Sequence, residues 1–220
     1  MTRPFFDLRQ LGQRDYGEVW ESMQAFTAAR VPGQTSELWL VEHPPVFTQG
    51  QAGKAEHLLD PGAIPVVQSD RGGQVTYHGP GQLVCYMLLN LDEAGIGIRT
   101  LVTRTEEAII RLLLSEGIAA GRREGAPGVY TGDAKIAQIG LRIKKRNSYH
   151  GLSLNVDMDL EPFERINPCG FAGLAVTDMR HEGSPIGIAE AGEKLCAILA
   201  EEMGYTIGQT LQTLPGSEHD

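Results

Sequence analysis

The sequence predicts an α+β fold, a mixed and largely antiparallel sheet with helices packed against it. Strand-like runs come in groups, helix-period segments fall between the groups, and strict β-α-β alternation is missing. With 220 residues, no internal repeat and no low-complexity linker, residues 1–220 read as a single domain around one core.

Along the chain, residues 14–30 (RDYGEVWESMQAFTAAR) put Val19, Met23 and Phe26 on one helical stripe, with Trp20 at its margin. Residues 37–42 (ELWLVE) form a short strand that His43-Pro44-Pro45 stops, because two prolines cannot donate to a ladder. A strand near 64–68 precedes a glycine-dense segment over 71–82, and the apolar run LVCYMLLNL follows as a buried strand. Residues 99–116 are the clearest helix, with Leu101, Ala108, Ile109, Leu112 and Leu113 on one face and Gly117 at its stop. Residues 128–156 read as two or three strands, in which IAQIGLRI and HGLSLNV flank the polar turn KKRNSY as a hairpin. A last helix over 187–203 carries Ile188, Ala191, Leu195, Ile198, Leu199 and Met203 and ends at Gly204. The tail TLPGSEHD reads as frayed.

Composition narrows the function. Hydrophobic residues at 41% and charged residues at 21% are those of a globular protein. A formal net charge of −9 argues against a nucleic-acid binder, which needs a basic surplus to neutralise phosphates. The start lacks the apolar run of a signal peptide, and no window reaches the length of a membrane span. A cytoplasmic protein that engages no membrane is expected. Three widely spaced cysteines, Cys85, Cys169 and Cys196, make a poor disulfide framework, and no Cys/His cluster has metal-ligand spacing, so no metal is indicated.

Three segments carry chemistry. In RGGQVTYHGPGQ, Gly72, Gly73, Gly79, Pro80 and Gly81 hold Thr76, Tyr77 and His78 between tight turns, with Arg71 and Gln82 at the ends. Such a rigid polar loop suits close approach to a ligand, and the missing GK[ST] ending rules out a phosphate-binding P-loop. Cys169 lies between Pro168 and Gly170 on a turn, whereas Cys85 and Cys196 sit in apolar runs as core residues. A lone cysteine is usually a packing residue; the turn makes Cys169 a candidate thiol nucleophile. Lys135 opens the apolar strand KIAQIG, and near a thiol its ammonium would favour thiolate. In the hairpin turn, Arg142, Lys144, Lys145 and Arg146 are four basic residues in five positions, either a solvated turn or a docking surface for an acidic carrier protein.

RGGxxTxHGPGQ, KIAQIG, HGLSLNV and the NPCG turn, with EHPPVFTQG upstream, occur here in one order and spacing over roughly residues 42–178. In this the chain resembles the lipoyl(octanoyl) transferases of lipoate biosynthesis. The resemblance implies the fold of biotin and lipoate protein ligase catalytic domains, over a core of about residues 30–205. It implies transfer of octanoyl from acyl carrier protein to the lysine of a lipoyl domain in 2-oxoacid dehydrogenases or the glycine cleavage H protein. It also implies Cys169 as the acyl-thioester nucleophile, Lys135 as its assistant, and no ATP or metal cofactor. The substrate-binding stretches it implies are Arg71, Gly72, Gly73, Gln74, Val75, Thr76, Tyr77 and His78; Gln138, Ile139 and Gly140; and Gly151, Leu152 and Ser153.

An octanoyl chain further requires a dry slot, for which Tyr77, Leu83 or Leu152 are candidate walls. Main-chain N–H groups near Lys135–Gly140 or Cys169–Gly170 are candidates for holding the tetrahedral oxygen. His78 is either an orienting group or a second base. The alternatives are an ATP-dependent lipoate or biotin ligase, a transferase between protein lysines, and a non-catalytic module that binds carrier or lipoyl domains.

Overall fold

Alternation within one central strand organises the molecule. In β6 (Gln82–Leu88), Leu83, Cys85 and Met87 face one core, while Val84, Tyr86 and Leu88 face another. The first core is closed by α2 (Ile98–Ser115) and α3 (Ile188–Met203), through Leu101, Ile109, Leu112, Leu195 and Leu199. The second is closed by α1 (Tyr16–Ala29), through Val19, Met23 and Phe26. The computed structural model describes residues 4–216.

The main sheet has eight strands in the order β11-β1-β2-β6-β10-β9-β8-β7. These are β1 (Phe5–Gln13), β2 (Ser36–Glu42), β6, β7 (Gly121–Arg123), β8 (Ala126–Thr131), β9 (Ala134–Lys144), β10 (Asn147–Asn155) and β11 (Thr206–Leu211). β1 runs parallel to both β2 and β11, and the other neighbouring pairs are antiparallel. A small second sheet, β4-β3-β5, holds β3 (Val46–Gln49) between β4 (Val66–Gln68) and β5 (Val75–His78). Tyr77, Phe47 and Phe163 pack beneath it as a third cluster.

The expected α+β architecture is therefore present, and the two or three strands expected over residues 128–156 are three, β8, β9 and β10. Five strands, β1, β3, β5, β7 and β11, and part of the tail were not foreseen; β5 lies within the segment expected as a rigid loop. β1 and β11 carry weak patterns: most of β11 is exposed, and β1 mixes arginine and glutamine into its run. The tail does not fray at its start. The Thr213 carbonyl accepts from Arg9 Nη1 at 2.6 Å, and Leu214 is buried with the α1 cluster. The last four residues of the expected frayed segment, 217–220, lie outside the described residues. Arg9 also pairs with Glu37 at 2.7 Å, so a buried ion pair joins β1 to β2. Among the described residues, no helix is long and apolar enough to cross a membrane.

Candidate active site

Cys169 occupies a turn that holds its backbone in the left-handed region, at φ 57° and ψ 16°, followed by Gly170 at φ 81°. For a residue with a Cβ this costs of order 1–3 kcal/mol, and neighbouring bonds enforce it. Gly170 N–H donates to Asn167 O at 2.9 Å, and Phe171 N–H donates to Pro168 O at 3.1 Å. Upstream, Asn167 N–H donates to His57 O at 2.8 Å, and Leu59 N–H to Arg165 O at 3.0 Å.

Lys135 meets this turn from the start of β9. Its N–H donates to Ala175 O at 2.8 Å, and its carbonyl accepts from Thr177 N–H at 3.1 Å, so β9 is fastened to the segment just after Cys169. The side chain is 2% exposed. Its ammonium donates to Cys169 Sγ at 3.1 Å and to Pro127 O at 2.9 Å, and lies 5.3 Å from the Tyr130 ring centre. A buried cation needs such partners, and here a carbonyl, a π face and the sulfur supply them. Room for the stem comes from Gly128, where a Cβ would stand 2.6 Å from Lys135 Cε. Cys85 and Cys196 are buried as expected, and the Cys85 thiol is pushed up by its hydrogen bond with Cys196 and by burial.

Beside this pair opens a cavity of about 450 Å³. It lies where β8 leaves β9: the two strands are in register only through Ala137, and beyond it the exposed strand edge is met by Gly72, whose N–H donates to Leu141 O at 3.1 Å. Arg71, Gly72, Gly73, Gln74, Val75, Thr76, His78, Gln138, Ile139, Gly140, Gly151, Leu152 and Ser153 all line it with Cys169 and Lys135. Gly140 and Gly151 are partners across β9 and β10, where a Cβ on Gly140 would stand 3.1 Å from Gly72 O and one on Gly151 would clash with Cys85 O, so only glycine lets these backbones approach.

Two expected wall residues do not line the cavity. Tyr77 points to the opposite face of β5 from Thr76 and His78, with its ring 5.5 Å from both Phe47 and Phe163. Leu83 faces the α2–α3 core from β6. Period-2 alternation sends each away from the slot. Leu152 does line it.

The floor is polar, with neutral imidazoles beside a buried guanidinium. His78 bonds Gln82 Oε1 at 2.6 Å and Thr48 Oγ1 at 3.3 Å, and burial lowers its pKa to about 3, so it stands neutral. Burial likewise takes His43 to about 4, with Nε2 2.7 Å from Tyr86 Oη. The Arg71 guanidinium, lowered by burial, ties its loop to β3 by donating to Thr48 Oγ1 at 3.0 Å and to Gln74 O at 2.7 Å. Burial works to raise the Asp70 carboxyl, yet hydrogen bonds from His150 (2.8 Å), Tyr149 (2.5 Å) and Trp20 (2.8 Å) outweigh it and hold the group below the usual carboxylate range.

Several site residues escaped sequence reasoning. Tyr16 and Tyr86 line the slot from α1 and β6, and Ile98 and Phe171 form its rim, 48% and 50% exposed. His57 lies against the nucleophile turn, with Nε2 3.4 Å from the position a Cβ on Gly170 would take. Only an exposed apolar residue beside a glycine, as at Ile98 and Phe171, offered any signal.

Comparison with known proteins decides the family. Residues 15–200 match the model of the lipoyl protein ligase A/B catalytic domain. An octanoyltransferase of Pseudomonas fluorescens (strain SBW25) is 59% identical over 92% of this chain and 94% of its own. One from Azotobacter vinelandii is 57% identical over 93% and 94%. The chain belongs to the octanoyltransferase family. It is an acyltransferase, and its reaction is octanoyl transfer for protein lipoylation. The fold agrees with solved structures that are more distant. A lipoate-protein ligase A bound with ATP superposes with TM-score 0.77 at 17% identity, covering 96% of this chain and 90% of that one. A bipartite lipoate protein ligase of Thermoplasma acidophilum gives 0.75 at 18% identity, covering 96% and 88%.

Proposed function

We propose that the enzyme takes octanoyl from acyl carrier protein onto Cys169 as a thioester and passes it to a lipoyl-domain lysine. The observation that carries this reading is the Lys135 ammonium 3.1 Å from Cys169 Sγ at the slot. In the first step the Cys169 thiolate, stabilised by that ammonium, attacks the donor carbonyl. The carbon–sulfur bond to the carrier breaks, and Lys135 Nζ gives its proton to the departing sulfur. In the second step the acceptor lysine, having lost its ammonium proton to water, attacks the acyl-cysteine as a free amine. Neutral Lys135 takes the proton released as the amide forms, the bond to Sγ breaks, and the thiolate–ammonium pair is restored.

Exchange of one thioester for another changes little in free energy, and thioester to amide is downhill. The cycle thus needs neither ATP nor a metal. Each tetrahedral oxygen requires preorganised donors. The N–H groups of Lys135 and Gly170 are engaged by Ala175 O and Asn167 O. The Ile139 N–H, on the strand edge where Gly72 binds Leu141, supports an assignment as the donor. Acceptors are the lipoyl domains of 2-oxoacid dehydrogenases and the glycine cleavage H protein, which puts the work in the cytoplasm.

The test is octanoylation of a lipoyl domain with octanoyl-loaded carrier and no nucleotide, for wild type and Cys169→Ser. Transfer by wild type alone supports the reading. Labelling from free octanoate that requires ATP and survives Cys169→Ser would replace it with a ligase.

A further inference from the structure

Most cations on this acidic surface are spoken for. Lys54, Arg122, Arg146 and Arg180 are exposed and paired with Glu56, Glu106 and Glu107, Asp92 and Asp157. Among the described residues, the exposed cations for which no ion pair is found are Arg99, Lys144 and Lys145. All three fall on one side of the slot. The β9–β10 turn is bound to the loop that leads into α2: Leu91 N–H donates to Arg146 O at 2.8 Å, and Arg146 Nε to Asp92 Oδ1 at 2.7 Å. That loop ends at Ile98, an exposed rim residue of the slot, and Arg99 follows it.

The turn itself is poorly served by its residues. Lys145 and Arg146 sit at φ 49° and 65°, the two positive-φ positions that a tight hairpin fills most readily with Asn-Gly. Turn chemistry therefore does not account for two long basic side chains there, whereas a requirement for charge does.

We infer that Arg99, Lys144 and Lys145, with the apolar rim residue Ile98, form the docking surface for the acidic carrier domain that delivers the acyl group. This rests on the proposed carrier-dependent reaction. Distance selects the carrier over the acceptor domain. Lys144 lies nine residues along β9 from Lys135, at most roughly 30 Å at the rise of a strand. A group carried on a long flexible arm can be delivered from a domain docked there. An acceptor lysine has only its own four-carbon stem, so its domain must sit over Cys169. A cationic rim also steers an acidic partner, with a rate advantage of ~10-fold to 1,000-fold that salt removes.

The test compares wild type with Arg99→Glu/Lys144→Glu/Lys145→Asn, the last change suiting the turn so that the hairpin is kept. Acylation of Cys169 is followed with octanoyl-carrier and with octanoyl-pantetheine, and the preformed acyl-enzyme is then discharged by a lipoyl domain. The expected result is a loss of roughly 10-fold or more in kcat/KM for the carrier donor, with a flattened salt dependence. Acylation by octanoyl-pantetheine and discharge stay as in wild type. Equal loss with both donors, loss confined to discharge, or no loss at all would each overturn the inference. Failure of wild type to become acylated by either donor would instead bring down the carrier reaction itself, and the docking surface with it.

Discussion

Lys135 Nζ stands 3.1 Å from Cys169 Sγ across 34 residues of sequence, and the contact is built into the main chain. The segment after Cys169 runs parallel to the start of β9, exchanging hydrogen bonds with Lys135 itself through Ala175 and Thr177. The nucleophile and its cation are thus fixed by one local ladder.

Replacing Lys135 by Met keeps the stem and removes the charge. Acylation of Cys169 by octanoyl-carrier should fall by about 10²-fold or more, as should its alkylation by iodoacetamide. Lys135→Arg should not restore it, because a planar guanidinium does not fit the space Gly128 leaves for a straight stem. Burst kinetics and alkylation rates check both variants; a Met variant as reactive as wild type would remove Lys135 from the mechanism.

Gly128 is itself under test. It stands at φ +127°, and a Cβ there would press on Lys135 Cε. Gly128→Ala should lower stability by about 1–3 kcal/mol and slow acylation together. Thermal melts and the acylation burst report the two effects, and a variant that lost stability while acylating at the wild-type rate would show that Gly128 does not place the lysine.

Stability should fall in mild acid. His43 and His78 have folded pKa values of about 4 and about 3, below the ordinary 6.5. Between those limits the unfolded chain binds more protons, so stability rises with pH and is lost as pH drops from about 6.5 toward 4. Each imidazole contributes up to about 1.4 kcal/mol per pH unit there. The depressed Asp70 carboxyl acts lower, where stability present above its ordinary 3.8 is lost below it. Urea midpoints at pH 7.5 and 5.0 should therefore differ, and His78→Gln should reduce the difference. Equal midpoints would mean that these rings are not buried neutral.

The β1–β2 junction depends on the Arg9–Glu37 pair, both members buried, with Trp39 Nε1 also donating to Glu37 at 2.5 Å. Arg9→Met strands the carboxylate and should cost about 3–5 kcal/mol by denaturant melts. A cost under 1 kcal/mol would show that water reaches Glu37.

Much of this was legible in the sequence because it was local. Helical stripes such as Leu101, Ile109 and Leu112 declare their faces, the apolar run of β6 declares its burial, and the turn around Cys169 follows from Pro168 and Gly170. What was hidden depends on pairing at long range. β11 is polar and takes its place only beside β1, and Tyr16 and Tyr86 reach the slot from elements whose patterns report only burial. Tyr77 was misplaced because motif membership says nothing about which face of a strand a side chain takes.

The most direct test of the central claim is the intact mass of the protein after incubation with octanoyl-loaded carrier and no nucleotide. The mechanism requires one added octanoyl group, mapped to Cys169, absent from Cys169→Ser and removed when a lipoyl domain is supplied. An unmodified Cys169 in a preparation that still octanoylates the lipoyl domain would contradict it.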